Sequence, residues 1–134
     1  MEDVLGYRDA PVVVTGAASG MGAAAAQLLV DLGARVTALD IRPTDVAVER
    51  FAEVDLRDRA AIEAVAASID EPVHALFSCA GLPGPPFSEL DTMLVNFVGA
   101  RHLAEALVPK MPAGSSITAI ASSAAVGWQD QMET

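Results

Sequence analysis

Short apolar runs alternate along the chain with longer segments whose apolar positions recur at helical spacing. The first run, residues 11–15 (PVVVT), is β-branched and predicts a central strand that is buried on both faces. A glycine-rich turn follows it. The Ala-rich segment 21–32 then predicts a helix, with Gly33 at the position where a left-handed C-cap commonly lies.

The same alternation continues through the rest of the chain. Further strands are predicted at 35–40, 50–54, 73–78 and 116–121. Asp58 is a plausible N-cap for a helix that runs to about Ile69, and a longer helix is predicted from about Leu90 to Met111. The apolar face of the first of these helices consists of Ala61, Ile62, Val65, Ala66 and Ile69. Residues 81–86 form a Gly/Pro loop, and no clear period is present after the fifth strand.

This order of elements predicts a single α/β domain over residues 1–134, with no linker and no repeat. Strands that alternate with helices favour right-handed crossovers and a doubly wound parallel sheet in three α/β/α layers, with strand order 3-2-1-4-5. Hydrophobic residues make up 52% of the chain and aromatic residues only 4%, which suits a sheet covered by small-residue helices.

Charge and cysteine content narrow the function classes. The net charge of -10 and the absence of a Lys/Arg cluster argue against nucleic acid as a partner. The amino terminus is acidic and no apolar run approaches the about 18 residues of a membrane span, so we expect no membrane partner and a cytoplasmic protein. Cys79 is the only cysteine, which predicts neither an internal disulfide nor a metal site.

The glycine-rich turn is the first candidate for a binding site. Gly16, Gly20 and Gly22 lie between a predicted strand and a predicted helix, with Ser19 and Met21 beside them. Glycines at this place let a dinucleotide pyrophosphate approach the free N–H groups of the helix start, which a β-carbon would prevent. The spacing differs from G-x-G-x-x-G, and glycines alone also fit a plain strand-to-helix turn.

Asp40 ends the second strand, eighteen positions after Gly22. A carboxylate at about this offset accepts hydrogen bonds from the adenosine ribose and repels a 2'-phosphate, which favours NAD as the cofactor. Arg42 leaves NADP as the alternative. An Asp at this place could also simply begin a turn.

Residues 15–22 (TGAASGMG) resemble the T-G-x-x-x-G-x-G motif of the short-chain dehydrogenase/reductase family. The resemblance implies a Rossmann-type fold and a hydride transfer between NAD and a small-molecule secondary alcohol or ketone. It covers nearly all of the chain but only about the first half of a typical member. Family members often form homodimers or homotetramers through their fourth and fifth helices, for which Leu94, Val98, Leu103 and Leu107 are candidates here.

Two further segments match cofactor-binding positions of that family. Asp55 corresponds to an acidic residue that meets the adenine amino group, and Leu56 to the residue that packs on the ring; Asp55 would otherwise cap a helix. Residues 78–81 (SCAG) take the place of the family's N-N-A-G. Cys79, Ala80 and Gly81 then pass along the nicotinamide ribose, without the side-chain hydrogen bonds of the two asparagines.

Catalytic positions are matched only in part. Asn96 resembles the asparagine that holds a water of the proton relay, although a purely structural Asn96 is the alternative, and Ser123 corresponds to the catalytic serine. The family's Tyr-x-x-x-Lys is absent, and neither Tyr7 nor Lys110 lies where it could replace it.

The missing pair leads us to expect a sequence truncated after the fifth strand, inactive alone, from a longer enzyme. An apolar fifth strand would otherwise be an exposed edge. The segment 127–134 resembles the start of an insertion in the steroid and coniferyl-alcohol dehydrogenase-like branch. The alternative from another class is a complete, non-catalytic dinucleotide-binding or interaction module.

Overall fold

The protein contains one parallel five-stranded sheet. The computed structural model describes residues 2–132. The strands are β1 (Pro11–Thr15), β2 (Arg35–Asp40), β3 (Arg50–Glu53), β4 (Ala75–Ser78) and β5 (Ser116–Ala119). They are hydrogen-bonded in the order β3-β2-β1-β4-β5, which confirms the predicted fold class and strand order.

Helices cover both faces of this sheet. The helices of the described residues are α1 (Gly20–Asp31), α2 (Arg59–Ser68), α3 (Glu89–Met93), α4 (Ala100–Leu107) and α5 (Trp128–Met132), of which α1 lies on one face and α2 and α4 lie on the other. A π-helical turn, Leu94–Gly99, joins α3 to α4, and 3-10 turns occupy Val108–Lys110 and Ser123–Ala125.

One prediction about these helices was wrong. The segment 90–111 is helical but is not one regular α-helix, because its ladder widens into the π turn, where Gly99 packs against another segment of backbone. The segment after β5, in which the sequence shows no clear period, contains α5, which at five residues is too short for a helical period to repeat.

Alternate residues of the central strands face opposite layers. Val12 and Val14 of β1 pack with Ala26 and Leu29 of α1. Val13 faces the other side, in a cluster with residues of α2 and α4. All five residues of β1 are buried, as predicted for a strand between two helical layers.

The ends of the helices follow the sequence closely. The Asp58 carboxylate accepts a 3.1 Å hydrogen bond from the N–H of Ala61 and so caps α2. Gly33 has a φ of +85° just after α1, which is the expected left-handed cap. Lys110 donates to the carbonyl oxygens of Ala66 and Ile69 at the other end of α2, which gives this lysine a structural role.

The α3–α4 segment buries some of the side chains that the sequence offered for an interface. Leu103 and Leu107 are fully buried inside the domain, so their assignment to a subunit interface was wrong. Their i, i+4 spacing places both on the face that packs on the sheet. The outward face carries Leu90, Met93, Phe97 and Val98, each about half exposed or more.

The fifth strand forms one edge of the sheet. All four residues of β5 are exposed, and the side chains of Ile117 and Ile120 retain 48% and 46% of their accessible surface. Within residues 2–132, no helix has the length and apolarity that crossing a bilayer requires.

Candidate functional site

A cleft of about 640 Å³ lies at the carboxyl ends of β1, β2, β3 and β4. This is the edge at which open parallel sheets place their ligands. All eleven residues predicted to bind the cofactor line this cleft: Gly16, Ser19, Gly20, Met21, Gly22, Asp40, Asp55, Leu56, Cys79, Ala80 and Gly81. Four segments that are far apart in the sequence therefore meet here.

Gly16 and Gly22 are required by the protein's own packing. A β-carbon on Gly16 would lie 2.7 Å from the backbone nitrogen of Ala80, and Gly16 has a φ of +70°. A β-carbon on Gly22 would lie 2.0 Å from the carbonyl oxygen of Gly16. These two glycines let the turn close upon itself and upon the loop after β4, a role that the motif alone did not reveal.

Gly20 has a different environment. Its φ is +57°, and a β-carbon there would have no heavy atom within 4 Å. Ser19 precedes it as the N-cap of α1, and the Ser19 hydroxyl makes no capping hydrogen bond. Because the first N–H groups of a helix lack intrahelical acceptors, the open space beside Gly20 is a place where an anion can reach them.

Asp40 is held by two backbone hydrogen bonds. Its Oδ2 accepts from the N–H of Ala18 at 2.9 Å, and its Oδ1 accepts from the N–H of Arg42 at 3.0 Å. The carboxylate thus joins the glycine-rich turn to the end of β2. Its negative charge lies on the cleft wall, because Asp40 and Arg42 both line the cavity.

Two threonines that sequence reasoning did not single out fix the loops around the cleft. The hydroxyl oxygen of Thr15, which is 1% exposed, accepts 3.1 Å hydrogen bonds from the N–H groups of Cys79 and Ala80. Thr44 donates from its hydroxyl to the carbonyl oxygen of Ala17 at 2.7 Å. Thr15 ends a strand that the sequence predicts to be buried, and a buried hydroxyl needs a hydrogen-bond partner, so the contact of Thr15 could have been expected from the sequence.

Cys79 lies in this wall as a neutral side chain. Burial raises the pKa of the Cys79 thiol above its ordinary value. With no thiolate at neutral pH, Cys79 contributes a neutral side chain to the wall, while its backbone N–H is bonded to the Thr15 hydroxyl.

Asp55 and Arg57, which also line the cleft, form an ion pair. The Arg57 guanidinium donates hydrogen bonds to the Asp55 carboxylate, among them one from Nη2 to Oδ2 at 2.8 Å. This side-chain hydrogen bond lowers the pKa of the Asp55 carboxyl, so that it is ionised at neutral pH. The N-cap of α2 is Asp58, so Asp55 does not have the capping role that was its alternative in the sequence.

The two predicted catalytic residues lie outside the cleft lining. The Asn96 amide holds the loop after β4, because its Oδ1 accepts from the N–H of Leu82 at 2.7 Å and its Nδ2 donates to the Leu82 carbonyl at 2.9 Å. Ser123 is exposed and begins a 3-10 turn that follows β5. The structure therefore gathers the cofactor-binding candidates and leaves Asn96 and Ser123 on adjoining segments.

Residues 2–132 contain no cluster of side chains suited to a metal ion. No group of three or more His, Cys, Asp or Glu is arranged there so that it could hold a metal ion.

Comparisons with known proteins match both the sequence and the fold. The short chain dehydrogenase family profile matches residues 10–132. A coniferyl-alcohol dehydrogenase from Pseudomonas sp. (strain HR199 / DSM 7063) is 30% identical over 91% of this chain and 48% of its own length. A 3-alpha-hydroxysteroid dehydrogenase/carbonyl reductase from Comamonas testosteroni is 32% identical over 81% of this chain and 42% of its own length.

Among solved structures, the ligand-free aldohexose dehydrogenase from Thermoplasma acidophilum superposes with a TM-score of 0.78. It is 27% identical, and the match covers 87% of this chain and 50% of that protein. The chain thus spans about half the length of the relatives that it matches. The resemblance to the coniferyl-alcohol and steroid dehydrogenases, expected from the sequence, is confirmed. This chain belongs to the short chain dehydrogenase family of oxidoreductases, whose members bind nicotinamide dinucleotides.

Proposed function

We propose that these residues form the NAD-binding part of a dehydrogenase that transfers hydride between NAD and a small secondary alcohol or ketone. The carrying observation is the cleft, where an open helix start at Gly20 faces the same space as the carboxylates of Asp40 and Asp55. The three features fit the pyrophosphate, the ribose and the adenine of one ligand. When bound, the nicotinamide accepts or donates the hydride.

Asp40 supports NAD over NADP. Its carboxylate is already oriented by the N–H groups of Ala18 and Arg42, so it can accept hydrogen bonds from ribose hydroxyls without rearranging. The same charge repels a phosphate on the 2'-oxygen. Arg42 donates to Asp40 through its backbone, and its side chain is the nearest candidate for a competing NADP contact.

For the reaction itself, Asn96 and Ser123 are the positions that we assign in this chain. Ser123 would hydrogen-bond the substrate oxygen, and Asn96 would hold the loop after β4 and a water of the proton relay. The tyrosine and lysine that complete the proton transfer in this family have no counterpart in the sequence. We therefore expect the isolated chain to show no turnover and the active enzyme to be a longer protein.

An alcohol of the aryl or steroid type is the substrate class that the relatives suggest. The exposed apolar face of α3–α4, with Met93 and Phe97, supports a homodimer or homotetramer. The acidic composition argues against a nucleic-acid partner, and we place the enzyme in the cytoplasm as part of this proposal.

The test is an assay in which the intact protein is mixed with NAD and with either coniferyl alcohol or a 3α-hydroxysteroid. Formation of the reduced nicotinamide is monitored by its absorbance. We expect turnover with at least one secondary or aryl alcohol. Nucleotide binding without turnover on any alcohol or ketone would instead support a non-catalytic dinucleotide-binding module.

A matched variant tests the cofactor assignment. Asp40→Ser removes the charge and keeps a hydrogen-bonding group, so we expect the ratio of the Kd values for NADP and NAD to fall by about tenfold. The control is Asp45→Ser, an exposed acid in the following loop that does not line the cleft. An unchanged ratio in Asp40→Ser would remove Asp40 from the ribose site.

A further inference from the structure

Arg57 lies on the cleft wall without a role in the hydride transfer. It follows Asp55 by two residues and encloses its carboxylate. The backbone N–H of Arg57 donates to Oδ1 at 2.9 Å, and its Nε donates to Oδ1 at 3.0 Å. Its Nη2 donates to Oδ2 at 2.8 Å, while the remaining contact, Nε to Oδ2, is longer at 3.2 Å.

These bonds leave Asp55 with little free acceptor capacity. An ionised carboxylate offers about four lone-pair sites, two on each oxygen. Both sites of Oδ1 are occupied by Arg57. On Oδ2, Nη2 occupies one site, and the Nε–H, which is shared with Oδ1, makes its longer 3.2 Å contact at the other. This second Oδ2 site is the one that a ligand can take while the Nε–H stays bonded to Oδ1.

Arg57 is itself held from a second side. Its Nη1 lies 3.5 Å from the Asp91 carboxylate in the first turn of α3. The backbone between Asp55 and Arg57 is also fixed, because a β-carbon on Gly99 would lie 2.0 Å from the carbonyl oxygen of Leu56. The acceptor site on Asp55 is therefore oriented by contacts to α3 and to the π turn, and not by a free side chain.

We infer that Arg57 is a positioning residue that makes the base-binding end of the cleft selective for a 6-aminopurine over a 6-oxopurine. This inference rests on the proposed nucleotide site and concerns which base that site accepts. A 6-amino group donates the single hydrogen bond that the second Oδ2 site can accept in place of the longer Nε contact. A 6-oxopurine directs an acceptor oxygen at a carboxylate that is itself only an acceptor, and its N1–H donor lies at the neighbouring ring position. The base must therefore shift from the position of a 6-aminopurine before it can make a hydrogen bond.

Loss of the guanidinium removes that restriction. Without the guanidinium, the Asp55 carboxylate keeps only the hydrogen bond from the backbone N–H of residue 57, so its side chain regains part of its rotational freedom. The pKa of its carboxyl then moves toward its ordinary value of 3.8. The carboxylate can then turn away from a 6-oxo base and leave it to water. Selectivity between the two bases should therefore fall more than affinity for either.

The experiment compares NAD with nicotinamide hypoxanthine dinucleotide, which carries a 6-oxo group in place of the amino group. Calorimetry on the intact protein gives both Kd values. We expect the wild type to prefer NAD by about tenfold or more. In Arg57→Met the preference for NAD should fall to about twofold. The preference of Arg57→Lys should lie between those of the wild type and Arg57→Met, because an ammonium keeps the charge but cannot make the bidentate hydrogen bonds.

Arg59→Met is the matched control. Arg59 lies two residues further on, pairs with Glu63 on the exposed side of α2 and does not line the cleft. Its base preference should equal that of the wild type. Asp91→Asn should lower the preference by a smaller factor than Arg57→Met.

The outcomes separate this inference from the proposed function. If the wild type binds neither dinucleotide, the nucleotide site itself is wrong. If the wild type prefers NAD and Arg57→Met keeps the same preference, or weakens both dinucleotides equally, Arg57 does not set the base selectivity and the inference is overturned.

Discussion

The nucleotide part of the proposed site and its reaction part differ in how they are held. Around the nucleotide cleft, Thr15, Asp40 and the glycines are fixed by hydrogen bonds and backbone contacts among four segments of the fold. Ser123, by contrast, lies in an exposed turn beyond the edge strand β5. Binding of the cofactor and transfer of the hydride should therefore respond separately to mutation in this protein.

Ser123→Ala should give the largest effect on the reaction and almost none on binding. Removal of one hydrogen-bond donor to a reacting oxygen costs about 10²–10³ in kcat. The Kd for NAD should stay within about twofold, because Ser123 does not line the cleft. Steady-state kinetics and calorimetry on the same preparation measure the two quantities.

Ser116→Ala, an exposed position on β5, is the control and should change neither value. A Ser123→Ala protein with unchanged turnover would remove this serine from the reaction. A large loss of NAD affinity would show that the two parts are not separate.

Gly22→Ala should be the most damaging change within the nucleotide part. Its β-carbon would lie 2.0 Å from the Gly16 carbonyl oxygen, which is backbone and cannot rotate away. We expect a loss of about 3 kcal/mol in the free energy of unfolding, measured in urea, together with a loss of NAD binding. Gly114→Ala, where a β-carbon meets nothing within 4 Å, should retain NAD binding; equal binding by Gly22→Ala would contradict the packing role.

Thr15→Val tests the link between β1 and the loop after β4. The change preserves shape but removes the acceptor of two N–H groups, at Cys79 and Ala80. The free energy of unfolding should fall by about 1–3 kcal/mol. Thr118→Val, on the exposed strand β5, should change stability little, and similar losses in both variants would rule out this explanation.

Breaking the ion pair of Asp55 and Arg57 should have the smallest effect on stability, and that effect should depend on pH. The folded-state pKa of Asp55 lies below its ordinary value of 3.8, so the pair adds stability above that value and loses it as the pH falls through the lower folded pKa. Both side chains remain more than a third exposed, which limits the gain. The stability difference between the wild type and Arg57→Met should narrow below pH 3.8, and a difference that grows there would contradict the assignment.

Much of this site was predictable because its signals are local. The buried run of β1, the glycine spacing after it and Asp40 at the end of β2 each occupy a few consecutive residues, and the structure places them as the pattern indicates. Strand order followed from the same local alternation.

The features that the sequence did not predict depend on contacts between segments that are distant in the chain. Gly16 and Gly99 are explained by Ala80 and Leu56, which lie more than forty residues away in the chain. The π turn brings Gly99 against the backbone of Leu56, and the burial of Leu103 and Leu107 follows from how α4 packs in the core cluster shared with α2 and the sheet. No local period carries that information.

The central claim is that the open helix start beside Gly20 receives the cofactor's pyrophosphate, and Gly20→Val tests it most directly when compared with Gly114→Val. Both positions have positive φ values, of +57° and +89°, and a β-carbon at either meets nothing within 4 Å, so both substitutions carry backbone strain without a steric clash of the β-carbon. Only Gly20 lines the cleft. Calorimetry on the intact protein should show NAD binding weakened at least tenfold in Gly20→Val and unchanged in Gly114→Val. A Gly20→Val protein that binds NAD as tightly as the wild type would contradict the account.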